Sequence, residues 1–115
     1  MKILMIDDEL NLINLFKIMF ERNGHIADTV NNLEEAKNLI DNNYDYILVD
    51  FYMNNENTLD FVKYLLTKYN KNQVCMLTGT EDKKDYKKMD KIGVVKYLKK
   101  PITYNEIIEK LSEKK

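Results

Sequence analysis

The chain alternates short solid blocks of apolar residues with longer stretches in which apolar side chains recur every three or four positions. Lys2-Ile3-Leu4-Met5-Ile6, Tyr46-Ile47-Leu48-Val49 and Val74-Cys75-Met76-Leu77 are blocks of the first kind, the last placed in a strand over residues 73–77. Runs this short, bounded by polar residues, predict strands buried on both faces of a parallel sheet. Residues 25–30 mix polar and apolar positions and predict a strand at a sheet edge; residues 94–98 predict a fifth strand. Leu12, Ile13, Phe16, Met19 and Phe20 mark a first helix that stops at Asn23-Gly24. Leu33, Ala36, Leu39 and Ile40 face inward on a second, capped by Asn31 or Asn32. A polar loop over residues 53–57 precedes a third helix with Leu59, Phe61, Val62, Leu65 and Leu66 on its inner stripe. Residues 81–92 keep only Tyr86, Met89 and Ile92 at helical spacing, which predicts a thinly anchored fourth helix ended by Gly93. Ile107, Ile108 and Leu111 mark the fifth, after Pro101.

Strand and helix thus alternate five times, with short connections. That order predicts a single α/β domain over residues 1–115, a doubly wound (βα)5 fold whose parallel sheet carries helices on both faces. At 115 residues, 44% of them hydrophobic, the chain is long enough for one sizeable core and too short for two ordinary ones. A net charge of -1 supplies no global basic field, so direct nucleic-acid and membrane binding are not expected. The only cysteine, Cys75, lies in an apolar block; it reads as a core residue and excludes an intrachain disulfide. One lysine and four apolar residues precede Asp7, far short of a signal peptide or a membrane span, and the expected location is cytoplasmic.

The candidate chemistry sits where the strands end. Asp7 and Asp8 follow the first, Asp50 ends the third, Thr78-Gly79 follows the fourth, and Lys99-Lys100-Pro101 follows the fifth. A doubly wound sheet brings such residues to one rim, beyond the carboxyl ends of its strands. Two carboxylates about 5 Å apart repel by roughly 3 kcal/mol at an effective dielectric near 20, so three acids call for positive charge. Lys100 supplies one. The remainder suits a hard, oxygen-seeking cation, and few carboxylates plus waters fit Mg²⁺ better than a fully caged Ca²⁺. One histidine and one cysteine are too few for a usual zinc site, and His25 reads as an edge-strand surface residue. A carboxylate beside Mg²⁺, an ammonium and a hydroxyl has the parts for phosphoryl transfer, with Asp50 as nucleophile. The chain has no GxxxxGK[ST] phosphate loop and no second histidine for a relay, so the phosphoryl group is expected from another protein or a small activated phosphate.

Asp7-Asp8-Glu9, Asp50, Met53 three residues later, Thr78, Tyr97 and Lys100-Pro101, in this order and spacing across essentially all 115 residues, resemble the bacterial response-regulator receiver domain of the CheY-like kind. The resemblance implies a flavodoxin-like sheet of strand order 2-1-3-4-5. It implies Asp50 as phosphoacceptor, with Asp8, Asp50 and the backbone carbonyl of Tyr52 on Mg²⁺ and Asp7 holding the ion through water. Lys100 would pair with Asp50 and later with a phosphoryl oxygen, Thr78 would bond another, and Pro101 would follow a cis peptide bond. Thr78 and Tyr97 would form the switch, and Tyr52 and Thr80 would tune dephosphorylation, with Tyr52 as a shield. The implied partners are a histidine kinase or phosphotransfer protein as donor and an output protein at the face of the fourth helix, fifth strand and fifth helix. The chain would be a monomer or a phosphorylation-dependent dimer.

Three positions depart from the family pattern. Asn54 and Thr58 stand where proline and glycine are usual, and Lys96 replaces a residue that is often small. Lys83, Lys84, Lys87, Lys88 and Lys91 line the fourth helix, diluted by Asp82, Asp85 and Asp90, and read as a solvated face. Two other functions compete with the signalling reading. An aspartyl phosphohydrolase of the haloacid dehalogenase pattern needs an acid two residues after Asp50, where Tyr52 stands. A pseudo-receiver that only binds partners does not need the intact acids, Thr78 and Lys100.

Overall fold

A computed structural model describes residues 1–113; the last two residues of the expected domain lie outside the described residues. Five parallel strands form the main sheet: β1 (Lys2–Ile6), β2 (Ile26–Val30), β3 (Tyr46–Asp50), β6 (Val74–Thr78) and β7 (Lys96–Lys99). Two short strands, β4 (Tyr52–Met53) and β5 (Glu56–Asn57), pair with each other as an antiparallel hairpin. The sheet order β2-β1-β3-β6-β7 is the order 2-1-3-4-5 once the hairpin is set aside. The helices are α1 (Leu10–Arg22), α2 (Leu33–Leu39), α3 (Leu59–Lys68), α4 (Lys83–Lys91) and α5 (Tyr104–Ser112).

Side chains alternate across the sheet, and the apolar blocks therefore fill two cores. Leu4, Ile6, Ile47, Val49, Val74 and Met76 pack against α2, α3 and α4. Ile3, Met5, Leu48, Cys75 and Leu77 pack on the other side, against Ile13, Phe16 and Phe20 of α1 and Ile107 and Leu111 of α5. Cys75 is fully buried, and burial pushes its thiol up to about 12, so it is an inert core residue. Among the described residues no helix is long and apolar enough to cross a membrane.

Local choices agree with the sequence at most joins. The Asn32 side chain caps α2 by accepting from Glu35 N, and Thr103 caps α5 in a reciprocal pair with Glu106. Gly24 and Gly93 take positive φ where α1 and α4 stop. Several boundaries differ from the sequence expectation, some by a single residue at a strand end. The expected polar loop 53–57 is largely the β4–β5 hairpin, turned by Asn54 and Asn55 at φ 51° and 67°, and its Met53 is buried beneath α3 rather than solvated. Gln73 belongs to a short 3-10 turn instead of the strand, because Asn70 and Gln73 satisfy each other's backbone N–H groups. The expected fourth helix 81–92 shortens to α4 because Asp82 accepts from Lys84 N and starts it there. The last strand begins at Lys96, two residues later than expected, and Lys96 is buried.

Only Met89 of α4 is fully buried, which matches the thin anchoring read from its polar sequence. Lys96 is the more surprising residue. Its stem lies on the α5 side of β7, and its ammonium donates to the carbonyls of Leu111 (3.2 Å) and Glu113 (2.5 Å) at the end of α5. The cation thus serves carbonyls that a helix end leaves without partners.

Candidate functional site

Each residue of the candidate site lies at, or within two residues past, the carboxyl end of a strand. Asp7 and Asp8 leave β1, Asp50 ends β3, Thr78 ends β6 and Lys100 follows β7, so the parallel sheet delivers all five to one rim. One carboxylate oxygen from each of Asp7, Asp8 and Asp50 lies within 4.8 Å of the others. Asp7 is fully buried and Asp50 is 5% exposed, whereas Asp8 is open to solvent. Two backbone groups orient the β1 acids: Glu9 N donates to Asp7 Oδ1 at 3.0 Å, and Asn54 N donates to Asp8 Oδ2 at 3.2 Å.

Lys100 Nζ lies 2.7 Å from Asp7 Oδ2 and 3.5 Å from Asp50 Oδ2. It therefore bridges the two buried acids and sits closer to Asp7 than to Asp50, the partner expected from the sequence. The 2.7 Å contact is a close ion pair on the fully buried Asp7 Oδ2, and the same ammonium is shared with Asp50. Burial pulls the ammonium of Lys100 down, but Asp7 and Asp50 more than offset this and its pKa ends raised. Asp50 moves the other way for an acid: burial first, then the charge of Asp7, push it up to about 7, while Lys100 and the Tyr52 N–H oppose the rise. One ammonium does not balance this pocket. An all-oxygen donor set of three carboxylates that share one ammonium fits a hard divalent cation.

Above the acids opens a cavity of about 490 Å³, walled by Asp8, Asp50, Tyr52, Thr78, Thr80 and Lys100, with Glu9 and Asp85 at its margin. A slightly larger groove of about 550 Å³ between α2 and α3 is lined by Leu33, Lys37, Phe61 and Tyr64 and holds no comparable cluster. Thr78 is buried and its Oγ1 accepts from Thr80 N at 3.0 Å. Tyr52 is exposed at the cavity mouth. The Lys100-Pro101 peptide is cis.

A continuous set of contacts leads from Thr78 to the outer face. The Thr80 hydroxyl donates to Asp85 Oδ2 at 2.6 Å, and Tyr86 OH donates to the Thr80 carbonyl at 2.9 Å. The Tyr86 ring in turn lies 5.1 Å from that of Tyr97, which is 37% exposed. The Tyr97 side chain is thus outside the rim, and its ring meets α4 at Tyr86. Two residues here escaped the sequence reading. Asp85 looks like any charged helix residue in sequence, and Thr58 reads there only as a helix-start residue; both acquire their place through contacts distant along the chain.

A family model for the response regulator receiver domain matches residues 3–112. The transcriptional regulatory protein CpxR of Escherichia coli (strain K12) is 30% identical over 110 residues, covering 96% of this chain and 47% of that protein. The response regulator SaeR of Staphylococcus aureus (strain USA300) is 26% identical over 110 residues, covering 96% and 48%. The chain spans about half the length of the curated relatives it matches. Among solved structures, the receiver domain of the Francisella response regulator 1452 aligns with a TM-score of 0.81 at 30% identity, covering 96% of this chain and 92% of that one. A Burkholderia pseudomallei response regulator, solved with a phosphorylated aspartic acid, calcium ion and citrate, aligns at 0.87 with 25% identity, covering 96% and 66%. The family match takes in every strand of the sheet and both helical layers, and the chain belongs to the response regulator receiver domains.

Proposed function

We propose that Asp50 accepts a phosphoryl group in a Mg²⁺-dependent reaction and that the phosphorylated rim changes the face built from α4, β7 and α5. As a receiver domain the chain is a signalling module, with histidine kinase input and output domains implied by its response-regulator relatives. The observation that carries the proposal is the placement of Asp50: a nearly buried carboxylate at a strand end, with an ammonium 3.5 Å away and two further acids beside it.

The reaction follows from those positions. An Asp50 carboxylate oxygen attacks phosphorus, the bond from phosphorus to the donor's imidazole nitrogen breaks, and the departing imidazole takes up a proton. Bound Mg²⁺, held by Asp8, Asp50 and the Tyr52 carbonyl with Asp7 acting through water, would neutralise the charge of the acids and of the transferring group. Lys100 opposes the rise in the Asp50 pKa, favouring the ionised acceptor, and would then pair with a phosphoryl oxygen. The Thr78 hydroxyl, now accepting from Thr80 N, turns to donate to another oxygen. That turn disturbs the chain of contacts through Thr80, Asp85 and Tyr86 to Tyr97, and α4 is the helix with least apolar anchoring to resist it. A swing from 1:99 to 99:1 needs about 5.5 kcal/mol, within reach of a few charge-assisted bonds at about 1.5–3 kcal/mol each.

The test is labelling by acetyl phosphate with Mg²⁺, read as an added phosphoryl mass on intact protein. Wild type should label, and Asp50→Asn or excess EDTA should abolish it. Undiminished labelling of Asp50→Asn, or none of wild type, overturns the assignment.

A further inference from the structure

We propose that the Thr58 hydroxyl is a positioning group for the phosphoacceptor, fixing the main chain that aims the Asp50 carboxylate and the Tyr52 carbonyl; this rests on Asp50 as the acceptor. Thr58 occupies the N-cap of α3, where a hydroxyl ordinarily accepts a hydrogen bond from the helix's own first turn. No such bond forms here. Asn57 Oδ1 instead accepts from Leu59 N at 3.2 Å, and the Thr58 hydroxyl turns away from the helix.

It turns toward the end of β3. Thr58 is 1% exposed, and its Oγ1 lies 2.7 Å from the Asp50 carbonyl oxygen and 3.2 Å from that of Phe51. A hydroxyl has one proton to give, and the shorter contact directs it to Asp50. The Thr58 N–H donates to the Phe51 carbonyl at 2.9 Å, and the Thr58 carbonyl accepts from Val62 N at 3.0 Å inside α3. On the opposite side the Phe51 N–H donates to the Leu77 carbonyl of β6 at 2.7 Å. Asp50 and Phe51 are therefore held between β6 and the first turn of α3.

The consequence is directional. Beyond Asp50 the chain leaves the main sheet for the β4–β5 hairpin. The backbone angles at this join decide where the Asp50 side chain points and where the Tyr52 carbonyl, two residues on, faces. A buried carbonyl deprived of its donor relaxes toward any other it can reach, and a sub-ångström rotation here moves both groups. Partners that orient metal-binding groups without touching the metal typically lower metal affinity or activity by about 10–100-fold when removed.

The experiment compares Thr58→Val, which keeps the branched shape and removes the donor, with Thr58→Ser, which keeps the donor and removes the methyl group. Three readouts are taken on the full chain: Mg²⁺ affinity by calorimetry, the rate of labelling by acetyl phosphate, and the amide NMR spectrum of the metal-free protein. Thr58→Val should weaken Mg²⁺ binding and slow labelling by about tenfold, and should displace the Phe51 and Tyr52 amide resonances. Thr58→Ser should return all three toward wild type, an order that a pure packing role would not produce. Wild-type Mg²⁺ affinity and labelling in Thr58→Val overturn the proposal, as does a Thr58→Ser protein as impaired as the valine variant. If Thr58→Val does not fold, Thr58→Ala against Thr58→Ser makes the same comparison. Failure of wild type to label would refute the phosphoacceptor reading, while the Mg²⁺ and NMR measurements would still decide the positioning role.

Discussion

Without divalent cation at about pH 8, Asp50→Asn should be more stable than wild type. Asp50 is 5% exposed and shares its pocket with the oxygens of Asp7 and Asp8, all within 4.8 Å. Burial, followed by the Asp7 charge, raises it from 3.8 to about 7. An acid whose proton is bound more tightly in the folded than in the unfolded chain opposes folding once it ionises. Below about pH 4 both states are protonated and the group has no effect. Between about pH 4 and 7 the unfolded chain releases its proton while the folded chain keeps it, so stability falls as pH rises, by about 1.36 kcal/mol per pH unit. Above about pH 7 the loss levels off near roughly 4 kcal/mol. Asparagine carries no charge and escapes this loss. Urea unfolding followed by circular dichroism, in EDTA from about pH 4 to 8, should show the two proteins nearly equal at the acid end and steadily diverging toward pH 7. Titrating groups outside the pocket are common to both chains and cancel in the difference, whereas Lys100, raised in part by the Asp50 charge, contributes to the same pocket effect. Mg²⁺ at about 100 times its dissociation constant should then add about 2.7 kcal/mol to wild type and much less to the variant, narrowing the gap. A difference that is constant across pH, or absent at pH 8, would refute the view that this pocket confines unbalanced negative charge.

Lys96→Ala removes the ammonium that serves the Leu111 and Glu113 carbonyls and empties a buried volume, and should cost about 2–4 kcal/mol in urea unfolding. Lys96→Met, which refills the space without burying a charge, should lose distinctly less. Thr80→Val deletes the hydroxyl that joins the rim to Asp85, and amides of α4 should exchange about tenfold faster while global stability changes by less than about 1 kcal/mol; unchanged exchange would mean that this contact does not restrain the helix. Tyr52→Ala should speed hydrolysis of phosphorylated Asp50, because Tyr52 lies exposed at the cavity mouth; an unaltered dephosphorylation rate would remove it as a shield.

Periodicity alone determined the five strands, the five helices and their alternation, because burial on one or two faces is a local property that each segment records in its own apolar spacing. The rim followed from the same reading: in a parallel sheet the residue after each strand must lie at one edge, which placed Asp7, Asp8, Asp50, Thr78 and Lys100 together. The tertiary structure alone decided which partner each polar group takes. Lys100 bridges Asp7 and Asp50 and lies closer to Asp7, Lys96 is drawn beneath the end of α5, and the Asn54-Asn55 turn folds a polar-looking segment into a hairpin over a buried Met53. Thr58 shows the reason most clearly. A threonine at a helix start carries the same letter whether its hydroxyl caps the helix or bonds the carbonyl of Asp50, and only the packing of α3 against the end of β3 brings that carbonyl within 2.7 Å. Apolar patterning is written along the chain, whereas hydrogen-bond and charge partners are chosen by distances between segments that the fold must first bring together.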